Sequence, residues 1–332
     1  MTDIHFYDEH SARDELAEDI ITGLNQRPAS IPPKYFYDAE GSVLFDAITQ
    51  LPEYYPTRTE IAILTDNARD IADQVGSGSL LVEPGCGSCA KVRILLEGLR
   101  PLAYVPMDIS GDHLRLAAEA LATDFPWLEI HASCTDYSRV MRLPPSVPDG
   151  ISLAFFPGSS IGNFDPADAI NFLTAIAHLV GQGGYLLIGV DRKKSHQILQ
   201  AAYDDKAGIT ARFNLNLLTR INRQLGADFN LNQWRHQALY NELLGRIEMH
   251  LVSRCPQRIT LGGRKYDFAK GETIHTENSY KYHPQEFIDL AARAGFAVRA
   301  QWSDHQQLFS VLLFQVETPA VSNTKTGPHN RS

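Results

Sequence analysis

Between residues 79 and 191 a short apolar run recurs five times, each closing on a turn or an acidic residue. Ser-Leu-Leu-Val-Glu at 79–83 runs into Pro84-Gly85-Cys86-Gly87-Ser88, after which Val92, Leu95, Leu96 and Leu99 recur at helical spacing. Residues 103–107 stop at Asp108 before a helical stretch at 112–122, and residues 128–133 lead to Asp136. Residues 151–156 precede a Gly/Ser loop and a helix near 166–180, and Gly183-Gly184 introduces 185–190, which ends at Asp191. Brief apolar runs bounded by turn residues read as buried strands, and i, i+3, i+4 spacing reads as helix. Strands alternating with helices predict a parallel sheet covered by helices on both faces. Right-handed crossovers then bring the carboxyl ends of the strands to one edge, where such sheets bind ligands.

The alternation stops after Asp191. Residues 195–240 read as largely helical, punctuated by Asn214, Asn216, Asn222, Asn230 and Asn232. Residues 246–268 alternate as antiparallel strands do, around a Gly262-Gly263 turn. The first pattern resumes with a helix that opens at Pro284 and ends at Gly295, followed by strands at about 296–303 and 307–317. The expected fold class is α/β, a Rossmann-like domain of residues 61–197 plus 284–318. A second, discontinuous α+β substrate-binding domain is expected from residues 1–60 plus 198–283. The polar tail at 319–332, rich in Ser, Thr, Asn and Pro, is expected to be disordered. A length of 332 residues accommodates two such units.

Charge and composition narrow the ligand. The formal net charge is −9 and no Lys/Arg run stands out, so nucleic acid is not the expected partner. Met1 to Leu16 carries Asp3, Asp8, Glu9, Asp14 and Glu15 without an apolar run, unlike a secretory or transit peptide. No stretch approaches the ~20 apolar residues that span a bilayer. The expectation is a cytoplasmic protein with a small-molecule substrate and no membrane or nucleic-acid partner. Cys86, Cys89, Cys134 and Cys255 are too few for a disulfide framework and suit reduced thiols. Cys86-x-x-Cys89 lacks a second pair or a nearby histidine, and no His-Glu-x-x-His occurs, so no metal site is expected.

Gly85-x-Gly87-x-x-Ala90 fits a dinucleotide fingerprint, with Asp108 at the distance of a ribose contact. It equally fits the acidic-x-Gly-x-Gly motif of class I S-adenosylmethionine (SAM) methyltransferases, with Glu83 as the acid. Asp108 closes the second strand, where a carboxylate reaches both ribose hydroxyls, and Asp136-Tyr137 follows the third, a place that suits adenine. The chain also ends helix, Gly-Phe, strand, strand, a terminal hairpin typical of the SAM class. Asp108 or Asp136 alone reads equally as a helix cap or a solvated loop residue. Together, at consecutive strand ends, they favour a ligand, and SAM over NAD.

Five further stretches narrow the chemistry. They are residues 32–60 (Pro-Pro-Lys-Tyr-Phe-Tyr-Asp and onward), Gly158-Ser-Ser-Ile-Gly-Asn163, Tyr203-Asp-Asp-Lys-Ala-Gly-Ile-Thr, Arg246-Ile-Glu-Met249 and Thr276-Glu-Asn-Ser279. In this order, over about residues 20–317, the chain resembles the histidine Nα-methyltransferases of ergothioneine biosynthesis. The resemblance implies conversion of L-histidine to its trimethyl betaine, hercynine, with three SAM consumed. It implies Tyr37 near the reacting amine, Tyr54 lining the pocket, and Asn163 and Tyr203 holding the amino-acid head group. Glu277 and Ser279 would hydrogen-bond the imidazole, and Met249 is counted on the same substrate side. Cofactor positions fall on Gly85, Lys91, Asp108, Asp136 and Tyr137, beside Glu83 and Gly87 of the turn motif. Pro84 and Cys89-Ala90 depart from the family's usual residues beside the cofactor, and Asn278 stands where a small apolar residue can occur.

Methyl transfer needs a neutral nitrogen, whereas a free α-amine has a pKa of about 7.7–8.0. A Tyr37 hydroxyl, directly or through water, would orient the lone pair, and positioning rather than a strong base would do most of the work. The bland alternative is that Tyr37 merely packs beside Tyr35 and Phe36. A pocket-facing Glu277 carboxylate requires a partner such as an imidazole N–H, and Ser279 shares its side if the segment is a strand. The alternative there is a solvated strand face. Aromatic rings, Tyr37 and Phe45 among them, would attract the growing methylammonium. The rivals are an N-methyltransferase for another amino acid such as tryptophan, which has less need of Glu277, and a non-catalytic SAM-binding protein, which has no need of Tyr37, Asn163, Glu277 and Ser279 together.

Overall fold

A computed structural model describes residues 4–8, 12–138 and 141–317. Two strands, β1 (Ile4–Asp8) and β2 (Ala29–Ser30), precede the five that the alternation predicts. Those five are β3 (Leu80–Pro84), β4 (Ala103–Asp108), β5 (Ile130–Cys134), β6 (Ser152–Phe156) and β7 (Tyr185–Asp191). Every residue of β3, β5 and β6 is buried, as strands covered on both faces must be. Five strands follow: β8 (Trp234–Asn241), β9 (Arg246–Ser253), β10 (Gln257–Leu261), β11 (Arg264–Phe268) and β12 (Thr273–Tyr280). The terminal hairpin is β13 (Phe296–Ser303) and β14 (Phe309–Val316).

The large sheet has the order β1-β5-β4-β3-β6-β7-β14-β13. Its first six strands are parallel, β14 runs antiparallel to β7, and β13 antiparallel to β14. This is the class I SAM methyltransferase arrangement with one added edge strand. The direction of winding reverses at β3, which lies between β4 and β6, so a crevice opens beyond the carboxyl ends of β3 and β6.

The helices are α1 (Ala12–Leu24), α2 (Ala39–Thr49), α3 (Tyr55–Val75), α4 (Arg93–Leu99), α5 (Gly111–Asp124), α6 (Pro166–Val180), α7 (His196–Tyr203), α8 (Ile209–Leu225) and α9 (Pro284–Ala292). Ile63, Leu64 and Ile71 of α3 join Leu95, Leu96, Leu114 and Leu121 over one face of the sheet. Phe172, Leu173 and Ile176 of α6 join Phe287 and Leu290 of α9 over the other. Proline opens both α6 and α9, where its missing N–H is not needed. No helix among the described residues is long and apolar enough to cross a membrane.

A third core joins Ile20, Phe36, Leu217, Ile221, Trp234, Ile247 and Leu251. It unites α1, α2 and α8 with a smaller sheet of order β2-β12-β9-β8, beside the β10–β11 hairpin. Here three expectations need correction. Residues 234–241 form β8 rather than continuing a helical stretch to 240. Trp234 and Ala238 turn into the core at even spacing, and all eight residues pair with β9. Strand β1, placed with the substrate-binding unit by the boundary at 1–60, instead pairs with β5 at the edge of the large sheet. The boundary at 60/61 falls inside α3, whose start at Tyr55 packs in the third core while Ile63 and Leu64 pack against the large sheet. The tail at 319–332 lies outside the described residues.

Candidate functional site

Two adjoining cavities occupy the crevice between the sheets. The larger, about 430 Å³, falls within the 300–1,000 Å³ range of ligand pockets. Glu83, Gly85, Gly87, Lys91, Asp108, Asp136 and Tyr137 all line it. The smaller, about 50 Å³, is lined by Tyr203, Met249, Glu277 and Ser279. Tyr37, Tyr54 and Asn163 line both, together with Phe45, Gly158 and Ser160, and so mark the passage between the two.

On the large-cavity side Glu83, Asp108, Asp136 and Lys91 are already partnered. Gly85 sits at φ +70°, and a Cβ there would lie 2.7 Å from the Tyr137 hydroxyl, so only glycine fits the turn. Asp108 accepts hydrogen bonds from the backbone N–H of Gly87 and of Ser110, each at 3.0 Å. Burial nevertheless leaves its carboxyl above the usual range, because those N–H groups offset desolvation only in part. Asp136 accepts from Lys34 Nζ at 2.8 Å and from Ser138 N at 3.1 Å. Burial raises its carboxyl, but the Lys34 and Ser138 hydrogen bonds outweigh that and hold it low. Tyr104 donates to the buried Glu83, whose carboxyl burial pushes well up. Glu83 therefore braces the turn from beneath.

Lys91 pairs at 2.5 Å with Glu60, a buried carboxylate that also accepts from the Gly158 N–H at 2.9 and 3.0 Å. Lys91 is so engaged, and α4 begins only at Arg93, six residues beyond Gly87, whereas a dinucleotide pyrophosphate is bound at a helix start. A carboxylate able to take ribose hydroxyls, a glycine turn and an acid placed for an exocyclic amine fit a SAM-type nucleoside.

The small cavity is assembled from distant segments. Asp38 caps α2 by accepting from Gly41 N at 2.8 Å, and Asn216 and Arg223 of α8 donate to the same carboxylate at 2.8 and 2.5 Å. This fixes the preceding residue, Tyr37, whose ring packs edge-on to Phe45 at 5.6 Å and to Phe213 at 5.9 Å. Burial first, and then the charge of Glu277, raises the Tyr37 phenol well above its ordinary value, so it stays neutral. Tyr54 and Tyr203 stand edge to face at 6.2 Å, and burial raises both phenols as well.

Strand β12 supplies the far wall. A bulge between His275 and Glu277 resets its register so that Glu277 pairs with Met249 on the cavity side. Glu277 is 9% exposed, and its carboxylate has no hydrogen-bond partner among the described residues. Burial pushes its carboxyl up to about 7, with Lys281 pulling the other way. Ser279, two residues on, points to the same cavity.

Sequence reasoning missed Glu60, Lys281, Asp191 and Phe213. Lys281 follows Glu277 and Ser279 at a spacing of two, which was a usable signal; Glu60 sits mid-helix and carries none. Cys86 and Cys89 form one tight turn, Cys89 N donating to Cys86 O at 2.9 Å, beside the large cavity. Among the described residues, two groups of side chains that could hold a metal lie elsewhere, His5-Glu129-His131 and Glu248-His250-His275; in the second, Arg246 already pairs with Glu248 at 2.8 Å.

Residues 16–316 match the family model described as histidine-specific methyltransferase, SAM-dependent. The histidine N-alpha-methyltransferase of Mycolicibacterium smegmatis is 41% identical over 300 residues, covering 89% of this chain and 92% of that protein. The protein of the same description from Mycobacterium tuberculosis is 40% identical, covering 90% and 94%. A 4-dimethylallyltryptophan N-methyltransferase of Claviceps purpurea is 28% identical, covering 88% and 92%.

Proposed function

The chain belongs to the histidine-specific, SAM-dependent methyltransferase family, and from that premise we propose that it methylates the α-amino nitrogen of L-histidine three times, to hercynine. This is the first step of ergothioneine biosynthesis. The observation that carries the substrate is the unpartnered Glu277 carboxylate in a cavity of about 50 Å³. A buried carboxylate without a donor is costly, and an imidazole N–H would relieve that cost.

SAM, when bound, supplies an electrophilic sulfonium methyl group. Asp108 and Asp136 hold the ribose and adenine ends, and the Gly85 turn lets that ligand approach the backbone. Tyr37, Tyr54 and Asn163 stand in the passage, where the amino-acid head group meets the methyl group. The Tyr37, Tyr54 and Asn163 side chains have no hydrogen-bond partners among the described residues, so their polar groups are free for the substrate. The Tyr37 phenol, held neutral, orients the amine lone pair and does not remove its proton. Rings of Tyr37, Phe45 and Phe213 face the charge that grows with each methyl group.

A tryptophan-directed reading is disfavoured, because indole lacks the second ring nitrogen of imidazole and has a bulk poorly matched to a cavity of about 50 Å³. The test is purified protein with SAM and single amino acids, read by mass. Histidine gaining one, two and then three methyl groups supports the proposal. Methylation of tryptophan without histidine, or SAM binding without transfer, overturns it.

A further inference from the structure

Among the described residues, Lys281 is the one cationic side chain in contact with both the Tyr203 and the Ser279 hydroxyl of the small cavity. Its side chain is fully buried, and its Nζ lies 2.8 Å from Asp191 Oδ2, 2.9 Å from the Tyr203 hydroxyl and 2.7 Å from Ser279 Oγ. An ammonium has three N–H donors and no acceptor, so these three contacts use all of them. Each hydroxyl oxygen thereby accepts from Lys281 and keeps its own hydrogen to give. Tyr203 and Ser279 are themselves 2.7 Å apart, so one of the two hydrogens closes that contact. The other has no acceptor among the described residues and can only be donated into the cavity.

We propose that Lys281 is a positioning residue that fixes the Ser279–Tyr203 pair as a hydrogen-bond donor, so that the pair and Glu277 together recognise a ring with one donor and one acceptor. The inference rests on histidine being the substrate. A neutral imidazole carries one N–H and one bare nitrogen, and meets Glu277 with the first and the hydroxyl pair with the second, which places Tyr203 beside the ring and not at the head group that the family resemblance implies. An imidazolium sets its second N–H against the hydrogen that the hydroxyl pair donates, where the neutral ring offers a bare nitrogen. An indole or pyrrole ring satisfies Glu277 and leaves the hydroxyl hydrogen unmatched, the kind of mismatch that polar sites reject strongly.

The first experiment uses the unaltered protein. L-Histidine labelled with ¹⁵N in the ring is bound in the presence of S-adenosylhomocysteine and observed by NMR. One protonated and one bare ring nitrogen are expected; two protonated nitrogens overturn the inference while leaving the substrate in place. No histidine binding at all overturns the proposed function instead. The second compares histidine with 3-(pyrrol-2-yl)alanine, a ring with a donor and no acceptor. The unaltered enzyme should prefer histidine by about 100-fold or more in kcat/KM. Lys281→Met should shrink that preference to about tenfold, chiefly through KM for histidine, because without the ammonium the hydroxyl oxygens are free to accept and the pair is no longer fixed as a donor into the cavity. An unchanged preference, with both substrates losing activity alike, means a merely structural lysine and overturns the inference. Asp191 retains Lys194 at 2.5 Å and Tyr55 at 2.6 and 2.8 Å. Should Lys281→Met fail to fold, Asp191→Asn/Lys281→Met removes the unbalanced charge and is read in the same way.

Discussion

The two cavities share a wall and are built on opposite electrostatic plans. Around the large one Asp108 is satisfied from within the protein by the Gly87 and Ser110 amides, Asp136 by Lys34 and Glu83 by Tyr104, with Glu60 paired to the lining Lys91. Glu277 in the small one, and Asn163 and the hydroxyls of Tyr37 and Tyr54 in the passage the two share, have no such partners among the described residues, and burial pushes the Glu277 carboxyl up to about 7. Under the proposed function, the large cavity's groups serve the fold and the ligand at once. The small cavity's groups are kept open at a cost to the fold, because only a ligand completes them.

The largest expected effect lies on the nucleotide side, and it should couple binding to stability. Asp108→Ala removes the acceptor for two part-buried amides and, under the proposed function, the anchor for two ribose hydroxyls. SAM affinity should fall by about 100-fold, since hydrogen bonds to charged groups are worth about 1.5–3 kcal/mol each. The melting temperature should fall with it, by the cost of orphaning the Gly87 and Ser110 amides. Calorimetry and a thermal melt check both; weaker binding with an unchanged melt would break the comparison.

Glu277→Gln should do the reverse. Histidine affinity should fall about tenfold or more while SAM affinity is retained, because one charged hydrogen bond is lost on the substrate side alone. Stability should rise at high pH, and the sign follows from the titration. The folded carboxyl titrates near 7, above its ordinary 4.5, so the folded state holds the proton more tightly than the unfolded one. Wild-type stability contributed by this group is present at low pH and is lost as pH rises from about 4.5 through 7. At pH 8 that loss is at most about 3 kcal/mol. Glutamine does not titrate, so denaturant melts should nearly coincide at pH 4 and separate in favour of the variant at pH 8. A variant less stable than wild type at pH 8 would show that Glu277 has an internal partner after all.

The same division governs what was legible in the sequence. The nucleotide wall is made by local turns at consecutive strand ends, so Glu83, Gly85, Asp108, Asp136 and Tyr137 stand in a linear pattern that period and turn chemistry expose. The substrate wall depends on segments more than 200 residues apart, Tyr37 and Glu277 among them, and only resemblance to a family brought those together. Lys281 was missed because a lysine beyond a polar strand reads as solvated; its burial depends on Asp191 at the end of β7. Strand β8 was misread because Trp234-Arg-His-Gln-Ala alternates weakly, and pairing with β9 rather than propensity decides its state. Strand β1 joined the large sheet through its pairing with β5, a long-range contact that no local pattern marks.

Tyr37→Phe should give the smallest change and the sharpest test of what the open groups do. The hydroxyl faces the passage between the cavities, while the ring is wedged against Phe45 and Phe213, contacts that phenylalanine keeps. Stability should therefore stay within about 0.5 kcal/mol of wild type, as for a substitution that leaves packing intact. One hydrogen bond to the amine is worth about 0.5–1.5 kcal/mol, so kcat/KM should fall roughly three- to tenfold. Burial and the nearby Glu277 charge hold the Tyr37 phenol well above its ordinary value, so no phenolate is present to accept the proton. The pH profile of kcat/KM should then keep its shape in the variant, merely displaced downward. A loss of a thousandfold or more, or an inflection that vanishes with the hydroxyl, would make Tyr37 a proton acceptor. Its wall would then be chemically active as well as open, and positioning alone would no longer account for the transfer.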